Sequence, residues 1–340
     1  MADSLSTRQA DDPGAPAGVP AAKGAGAPTG GGRRGRRPRV GARTRRRVLP
    51  WALLAPGLAV IGLLLLFPIG RVVWLSVQDY GLDNVVSGRS DFIGLDNYAR
   101  LLGDRYLWTV ALPNTAVFAV VAVAGTVAFG TLVALLLNTL GRFARTAVLA
   151  CIMVAWAMPA VSGTYVWVWI FDVDDGLVRR LLQTAGLLGP EGYNWFADRT
   201  AFYAIAALNV IHHGFPFVAV TVLAGLMTIP RELHESALLD GAGAWQRFRN
   251  VTVPTIRPVF AVVTILSTIW DFKVFAQVYL MPGGSGGNRD VLNLGVWSYV
   301  RSFANQSYGL GSAIAVLLTL MLLAITVVYL RTLFRDEELR

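Results

Sequence analysis

Six stretches of this chain are apolar for long enough to cross a bilayer, and nothing else in it restricts the possible folds as much. They run at about 51–77, 106–141, 146–171, 200–230, 257–280 and 309–330. The second, third and fourth hold no charged residue, and the fifth, past Arg257 at its start, is interrupted only by Asp271 and Lys273. Each reaches the roughly 20 residues that a helix needs to cover the hydrocarbon core. A soluble globule is excluded on composition too. The chain is 54% hydrophobic and 15% charged, against about 45–50% and about 25% in ordinary soluble domains. The expected fold is an all-α integral membrane protein with six transmembrane helices. Pro68, Pro159, Gly163, Gly214 and Pro216 lie inside these segments and predict kinks rather than extra ends.

Charge is placed unevenly. Residues 1–50 hold 11 Lys and Arg against 3 Asp, and the other 290 residues hold 19 basic against 18 acidic. The basic character is a property of the tail, which argues against a nucleic-acid partner. Residues 1–47, rich in Gly, Pro, Ala and Arg, read as a disordered cytoplasmic tail. Its Arg33–Arg47 cluster suits anionic lipid head groups. With the tail inside, 20 Lys and Arg fall on that side and 8 on the other. The positive-inside rule then puts both termini in the cytoplasm. Thr44–Leu49 resembles a twin-arginine signal, but the apolar run behind it is too long and five more follow, so a retained anchor is expected. The chain divides into the tail (1–47), a first helix with its outer loop (48–108), a transmembrane body (109–333) and a short cytoplasmic end (334–340).

Chemistry-bearing residues are sparse. Cys151 is the one cysteine, and the adjacent His212 and His213 have no carboxylate or thiolate at ligand spacing, so no metal site is expected. The two lysines, Lys23 in Ala-Lys-Gly and Lys273 in Phe-Lys-Val, leave no Gly-Lys-Ser/Thr run to hold nucleotide phosphates. No catalytic residue or cofactor is expected, and any ATP must be used by another chain.

Polar residues inside spans are costly and tend to face a cavity. Asn209, His212 and His213 in the fourth segment, and Trp270, Asp271, Lys273, Gln277 and Tyr279 in the fifth, are therefore candidates for a substrate path. On a continuous helix Lys273 and Gln277 share a face, whereas Asp271 and Lys273 point nearly apart. A structural pair with another helix is the alternative for Asp271 and Lys273. Trp156, Trp167, Trp169, Trp270 and Tyr279 offer flat aromatic faces to a substrate, or form an interfacial aromatic belt.

Residues 228–257 join the fourth and fifth segments without being apolar enough to enter the membrane. Pro230 with Glu232 and Glu235 predicts a helix start. Leu233, Ala237 and Asp240 fall near one face, and Gly241 predicts its end. A second short helix is expected from Gly243, with Ala244, Phe248 and Val251 as an apolar stripe and Pro254 as its stop. Such a pair either lies on the bilayer or inserts its stripe into a partner.

Glu235-Ser236-Ala237, Asp240-Gly241-Ala242, Phe248 and Val251-Thr252-Val253-Pro254 resemble the "EAA" loop of binding-protein-dependent ABC importer permeases. Ser236, Val251 and Val253 replace the family's Ala, Ile and Leu. The resemblance implies a type I importer permease fold in which loop 228–254 docks on an ABC ATPase subunit. The docking role then falls on Glu235, Ala237, Asp240, Gly241, Phe248 and Pro254. Phe92–Tyr98, Asn114-Thr115, Pro159, Trp167–Phe171, Asp175-Gly176-Leu177 and the tract from Trp270 to Gly284 resemble the carbohydrate-uptake (maltose/glycerol-phosphate) subfamily. That implies a sugar as cargo, a second homologous permease, an extracytoplasmic solute-binding protein, and residence in the cytoplasmic membrane of a bacterium. A non-sugar importer and an ion-coupled secondary transporter are the alternatives; the latter would show repeats with paired broken helices.

Overall fold

The computed structural model describes residues 40–338. Most of the expected tail lies outside the described residues. Its last part does not: α1 (Val40–Ile61) is helical from Val40, so the tail boundary at residue 47 is too late. Arg and Ala are strong helix formers and extend the apolar helix backwards. The chain separates by internal contacts into two units, residues 1–59 and 60–340. In the second, a π-helical turn at Gly62–Leu66 leads into α2 (Phe67–Ser76). A hairpin of β1 (Gln78–Asp79) and β2 (Asp91–Phe92), antiparallel with Gln78 opposite Phe92, encloses α3 (Leu82–Ser87). Then come α4 (Asp96–Gly103), a π-turn at Leu107–Ala111 and α5 (Leu112–Thr139).

After α5 follow α6 (Arg142–Trp156), α7 (Ala160–Ile170), α8 (Leu177–Thr184) and α9 (Arg199–Leu226). The segment between spans, the elbow, holds α10 (Arg231–Leu239), α11 (Ala244–Arg247), a π-turn at Phe248–Thr252 and α12 (Val253–Thr255). The chain ends with α13 (Arg257–Phe272), α14 (Ala276–Tyr279), α15 (Leu294–Tyr299) and α16 (Tyr308–Glu338).

Among the described residues five helical segments are long and apolar enough to cross a membrane: Leu53–Ser76, Leu107–Thr139, Arg199–Leu226, Arg257–Tyr279 and Tyr308–Arg331. The third expected span is instead the pair α6 and α7, bent by 92°. Pro159 makes the break. It has no N–H to continue α6 and disfavours helix at the residue before it. Its ψ of 136° redirects the chain into α7. The pair still amounts to one crossing. Gly125 meets Ile211 and Gly130 meets Val218, so α5 and α9 run parallel, and the chain between them has to return across the bilayer.

The other prolines act differently from the expected kinks. Pro68, Pro113 and Pro254 each follow a π-turn by two residues. In all three the N–H before the proline reaches back five residues: Phe67 to Gly62, Leu112 to Leu107, Val253 to Phe248. The wider turn relieves the clash between the proline ring and the carbonyl four residues earlier. Pro254 is thus carried within a helical turn, and the second elbow helix stops at Ile256 (φ −103°) rather than at the proline. Pro216 with Gly214, and Gly163, sit inside unbroken α9 and α7.

The α5–α9 seam is the most extensive helix contact in the fold. A Cβ at Gly130 would stand 2.6 Å from Val218 Cβ, and one at Gly214 would stand 2.9 Å from Thr126. Small residues let the backbones approach this closely, as in other membrane bundles. The buried side chains form one cluster around Leu107, Phe118, Phe202 and Trp297, near the hairpin, and another around Leu137, Val222 and Ile256, near the elbow. Arg145 closes the far end of α5. Its guanidinium donates to the carbonyls of Leu137 (2.9 Å), Asn138 (3.1 Å) and Leu140 (3.3 Å), at the end where an α-helix runs short of backbone donors.

Candidate functional site

The elbow folds as its pattern predicts, in two short helices around a glycine. Gly241 sits at φ +78°. Its N–H bonds the Leu238 carbonyl (3.0 Å) and the Ala242 N–H bonds the Ala237 carbonyl (2.9 Å), the paired reach-back of a Schellman stop. Gln246 Oε1 accepts the Gly243 N–H at 2.8 Å and starts α11. Pro230 precedes the first helical residue of α10 rather than occupying it. Glu235, Asp240, Gly241 and Pro254 are exposed, while Ala237 and Phe248 are half-buried.

Two exposed apolar groups escaped the sequence pattern. Leu239 is 90% exposed and Trp245 is 69% exposed, with Trp245 stacked on Phe248 at 5.5 Å. An unpaired Leu238-Leu239 at the end of an otherwise polar helix was the available signal. The two spans that the elbow joins pack on each other at its base. A Cβ at Gly225, near the end of α9, would lie 3.1 Å from Val259 and 3.5 Å from Ile256. The elbow therefore leaves and re-enters the bundle where α9 and α13 already touch.

An apolar groove of about 1030 Å³ rises from Ala244, Trp245 and Phe248 between α5, α13 and α16, past Thr264 and Tyr329 to Ala119. None of the eight candidate path residues lines it, or the second cavity described below. Three of them, His212, Trp270 and Tyr279, belong to three separate aromatic groups instead. In the first, His212 packs against Trp167 (6.0 Å) and Phe215 (6.2 Å), and Trp167 stacks on Phe171 (5.9 Å). In the second, Trp270 meets Phe217 edge-on (5.0 Å), and Phe217 stacks on Trp156 (6.5 Å). In the third, Tyr279 stacks on Phe275 (5.0 Å) and meets Tyr299 (5.2 Å).

The polar candidates divide as well. Asn209 is buried and donates to Thr164 Oγ1 at 3.3 Å, so it pins α9 to α7. His213 is half-buried and His212 exposed. The fifth span is not one helix. It breaks after Phe272, with Lys273 at φ −94°, ψ 8° and α14 starting only at Ala276. The face shared by Lys273 and Gln277 is therefore lost: Lys273 is exposed and Gln277 buried. Asp271 is 7% exposed, and its Oδ2 has no hydrogen-bond partner among the described residues. A buried carboxyl left this way is costly.

At the hairpin end, side chains of α5 and α9 hold the loop before α15. Asn114 donates to the carbonyls of Asp290 (2.9 Å) and Leu292 (3.0 Å) and accepts from Arg199 Nε (2.8 Å). Tyr203 donates to the Val291 carbonyl (2.8 Å) and Tyr106 to that of Arg289. Burial pushes the Tyr106 phenol up to about 12, so it remains a donor. In the loop after α7, the N–H groups of Asp175 and Asp174 hold the Asp172 carboxylate below its ordinary pKa.

The sequence profile of binding-protein-dependent transport system inner membrane components matches residues 126–336. The diacetylchitobiose uptake system permease protein DasB of Streptomyces coelicolor is 37% identical over 309 residues, 91% of this chain and 93% of that protein. The trehalose/maltose transport system permease protein MalF of Thermococcus litoralis is 32% identical over 285 residues, covering 83% and 92%. A crystal structure of a bacterial ABC transporter that imports alginate has a chain that superposes with a TM-score of 0.71 at 21% identity, covering 86% of this chain and 98% of that one. The fold is that of a type I ABC importer permease. By profile and by relatives, the chain belongs to the family of binding-protein-dependent transport system inner membrane components.

Proposed function

We propose that this chain is the permease subunit of an ATP-driven importer that carries a sugar, most simply an oligosaccharide, across the cytoplasmic membrane of a bacterium. The observation that carries the mechanism is the elbow. Exposed Leu239 and Trp245 flank a Schellman turn, and the elbow that carries it joins α9 to α13, which pack on each other at Gly225. That surface suits the cleft of a separate ATPase subunit, with Glu235, Ala237, Asp240, Gly241, Phe248 and Pro254 at the contact. ATP is bound and hydrolysed there; the permease needs no cofactor of its own. Closure of the ATPase pair moves the elbow, and α9 and α13 move with it. The named sugar systems among the relatives support the substrate class.

In this reading a second, homologous permease completes the path. The aromatic groups around His212, Trp270 and Tyr279, with His213 and Lys273, then face the shared opening, and the buried Asn209, Asp271 and Gln277 stand in the wall behind them. An extracytoplasmic binding protein presents the sugar at the hairpin end, and both termini lie in the cytoplasm with the elbow. Uptake of radiolabelled diacetylchitobiose, trehalose and maltose in a strain deleted for this gene tests it. Uptake of one of them should vanish, return with the intact gene, and fail to return with Glu235→Lys. Unchanged uptake of every sugar, or uptake that survives loss of the ATPase, overturns the reading.

A further inference from the structure

The second cavity, about 440 Å³, lies between the hairpin ends of α5 and α9. Its walls are Pro113, Val117, Phe118 and Val121 on α5, and Tyr203, Ala204 and Ala207 on α9. It is not on the face that carries the path candidates. At about 100° per residue Thr200 and Asn209 are half a turn apart, so the cavity and Asn209 occupy opposite sides of α9. The walls open outward, with Val117 63% and Val121 49% exposed. Both spans begin at this mouth, at Leu107 and Arg199, which puts it at head-group level with its apolar floor in the hydrocarbon.

Among the described residues lining it, Arg199 alone carries a charge. Its Nε is held by Asn114 Oδ1 at 2.8 Å, and its two terminal nitrogens make no hydrogen bond among the described residues. Asp198, next in the chain, turns its carboxylate to the Ala201 N–H at 2.7 Å. A fixed guanidinium with two free forks, the Thr200 hydroxyl beside it and an apolar slot below match a phosphodiester joined to an acyl chain. A guanidinium in that position, unpaired at the membrane surface, also favours an anion on electrostatic grounds.

We propose that this groove holds one anionic phospholipid, with its phosphodiester on Arg199 and Thr200 and one acyl chain between α5 and α9. The full-length permease, with the subunits that copurify, is reconstituted in nanodiscs of phosphatidylcholine doped with phosphatidylglycerol. Native mass spectrometry then counts the lipids retained after release. Arg199→Gln keeps an N–H for Asn114 but removes the charge. Ala204→Phe fills the slot and leaves Arg199 in place. Retained phosphatidylglycerol should fall by about tenfold in each, the scale of one charge-assisted contact, while subunit copurification stays intact. Equal retention in all three proteins overturns the proposal, and so does equal retention of phosphatidylcholine. Efficient cross-linking of an Ala204→Cys variant to another permease subunit overturns it too, because the groove would then be a subunit interface.

Discussion

Thr115 Oγ1 accepts the N–H of Leu294 at 2.9 Å, across 179 residues of chain. The same hydroxyl donates to the Ala111 carbonyl at 2.7 Å, so both of its roles are used and both residues are buried. With Asn114, Tyr106 and Tyr203 it forms a clasp that ties the start of α5 to the loop before α15 through backbone groups alone. Such a clasp fixes loop position whatever the loop's side chains are. Thr115→Val keeps the shape and strands one buried N–H, which costs about 1–3 kcal/mol. Asn114→Leu strands the carbonyls of Asp290 and Leu292 and frees Arg199. The expected order of thermal unfolding, read by tryptophan fluorescence in detergent, is intact protein above Thr115→Val above Asn114→Leu.

Tyr106 gives the clasp a pH signature. Its phenol is raised from an ordinary 10 to about 12, chiefly by burial. A group whose folded pKa is raised contributes stability that is complete below the unfolded value and lost as pH rises through the folded one. The permease should therefore lose stability between about pH 10 and 12. Tyr106→Phe, which cannot ionise, should start less stable for want of the bond to the Arg289 carbonyl and change less over that interval. Unfolding temperatures measured across the interval check both halves of the expectation.

Glycines in this chain answer to two different constraints, and substitutions separate them. At Gly241 an added Cβ meets nothing within 4 Å, but φ is +78°. Only the left-handed backbone penalty of about 1–2 kcal/mol applies. Asn, which tolerates that region, should retain sugar uptake where Val loses it. At Gly130 the backbone is ordinary helix, and the obstacle is Val218 Cβ at 2.6 Å and the Phe215 carbonyl at 3.0 Å. Gly130→Ala should cost about 1–3 kcal/mol by overpacking. Gly125→Ala should be milder, because its nearest neighbour is the flexible end of Ile211. Unfolding temperatures and transport rates of the four variants distinguish the two kinds of glycine.

The span count, the elbow and its glycine were legible because each rests on local facts: apolar length, turn chemistry and helix stripes. The 92° bend at Pro159 was underestimated as a kink, since a proline only removes a bond and the packing of α7 on α9 decides how far the chain then turns. Pro113 is hidden for the same reason. Nothing in its neighbours announces that a π-turn will absorb it. The path residues were the least legible. Periodicity treated 257–280 as one helix and put Lys273 beside Gln277, whereas the break at Lys273–Phe275 is stabilised from elsewhere, by Asn293 Nδ2 donating to the Val274 carbonyl at 2.8 Å. Long-range side-chain bonds to a broken backbone leave no periodic trace.

Asp271 stands directly before that break, and its Oδ2 is buried without a partner among the described residues. Folding does not gain from it. Replacing an unsatisfied buried polar group by an apolar one of similar size relieves about 1–3 kcal/mol of desolvation. Asp271→Leu should therefore raise the unfolding temperature of the purified permease. If the carboxyl is kept for transport, the same variant should lose most of its sugar uptake, as expected where function is held at the expense of stability. Asp271→Asn should lie between, since its amide keeps one acceptor and adds donors at the same place. The measurement is paired: unfolding temperature in detergent and initial uptake rate in cells, with membrane abundance matched by immunoblot. A Leu variant that is both more stable and fully active would remove Asp271 from the path and leave it a structural accident of the broken helix. One that is less stable would mean that the carboxyl is satisfied by a neighbouring subunit.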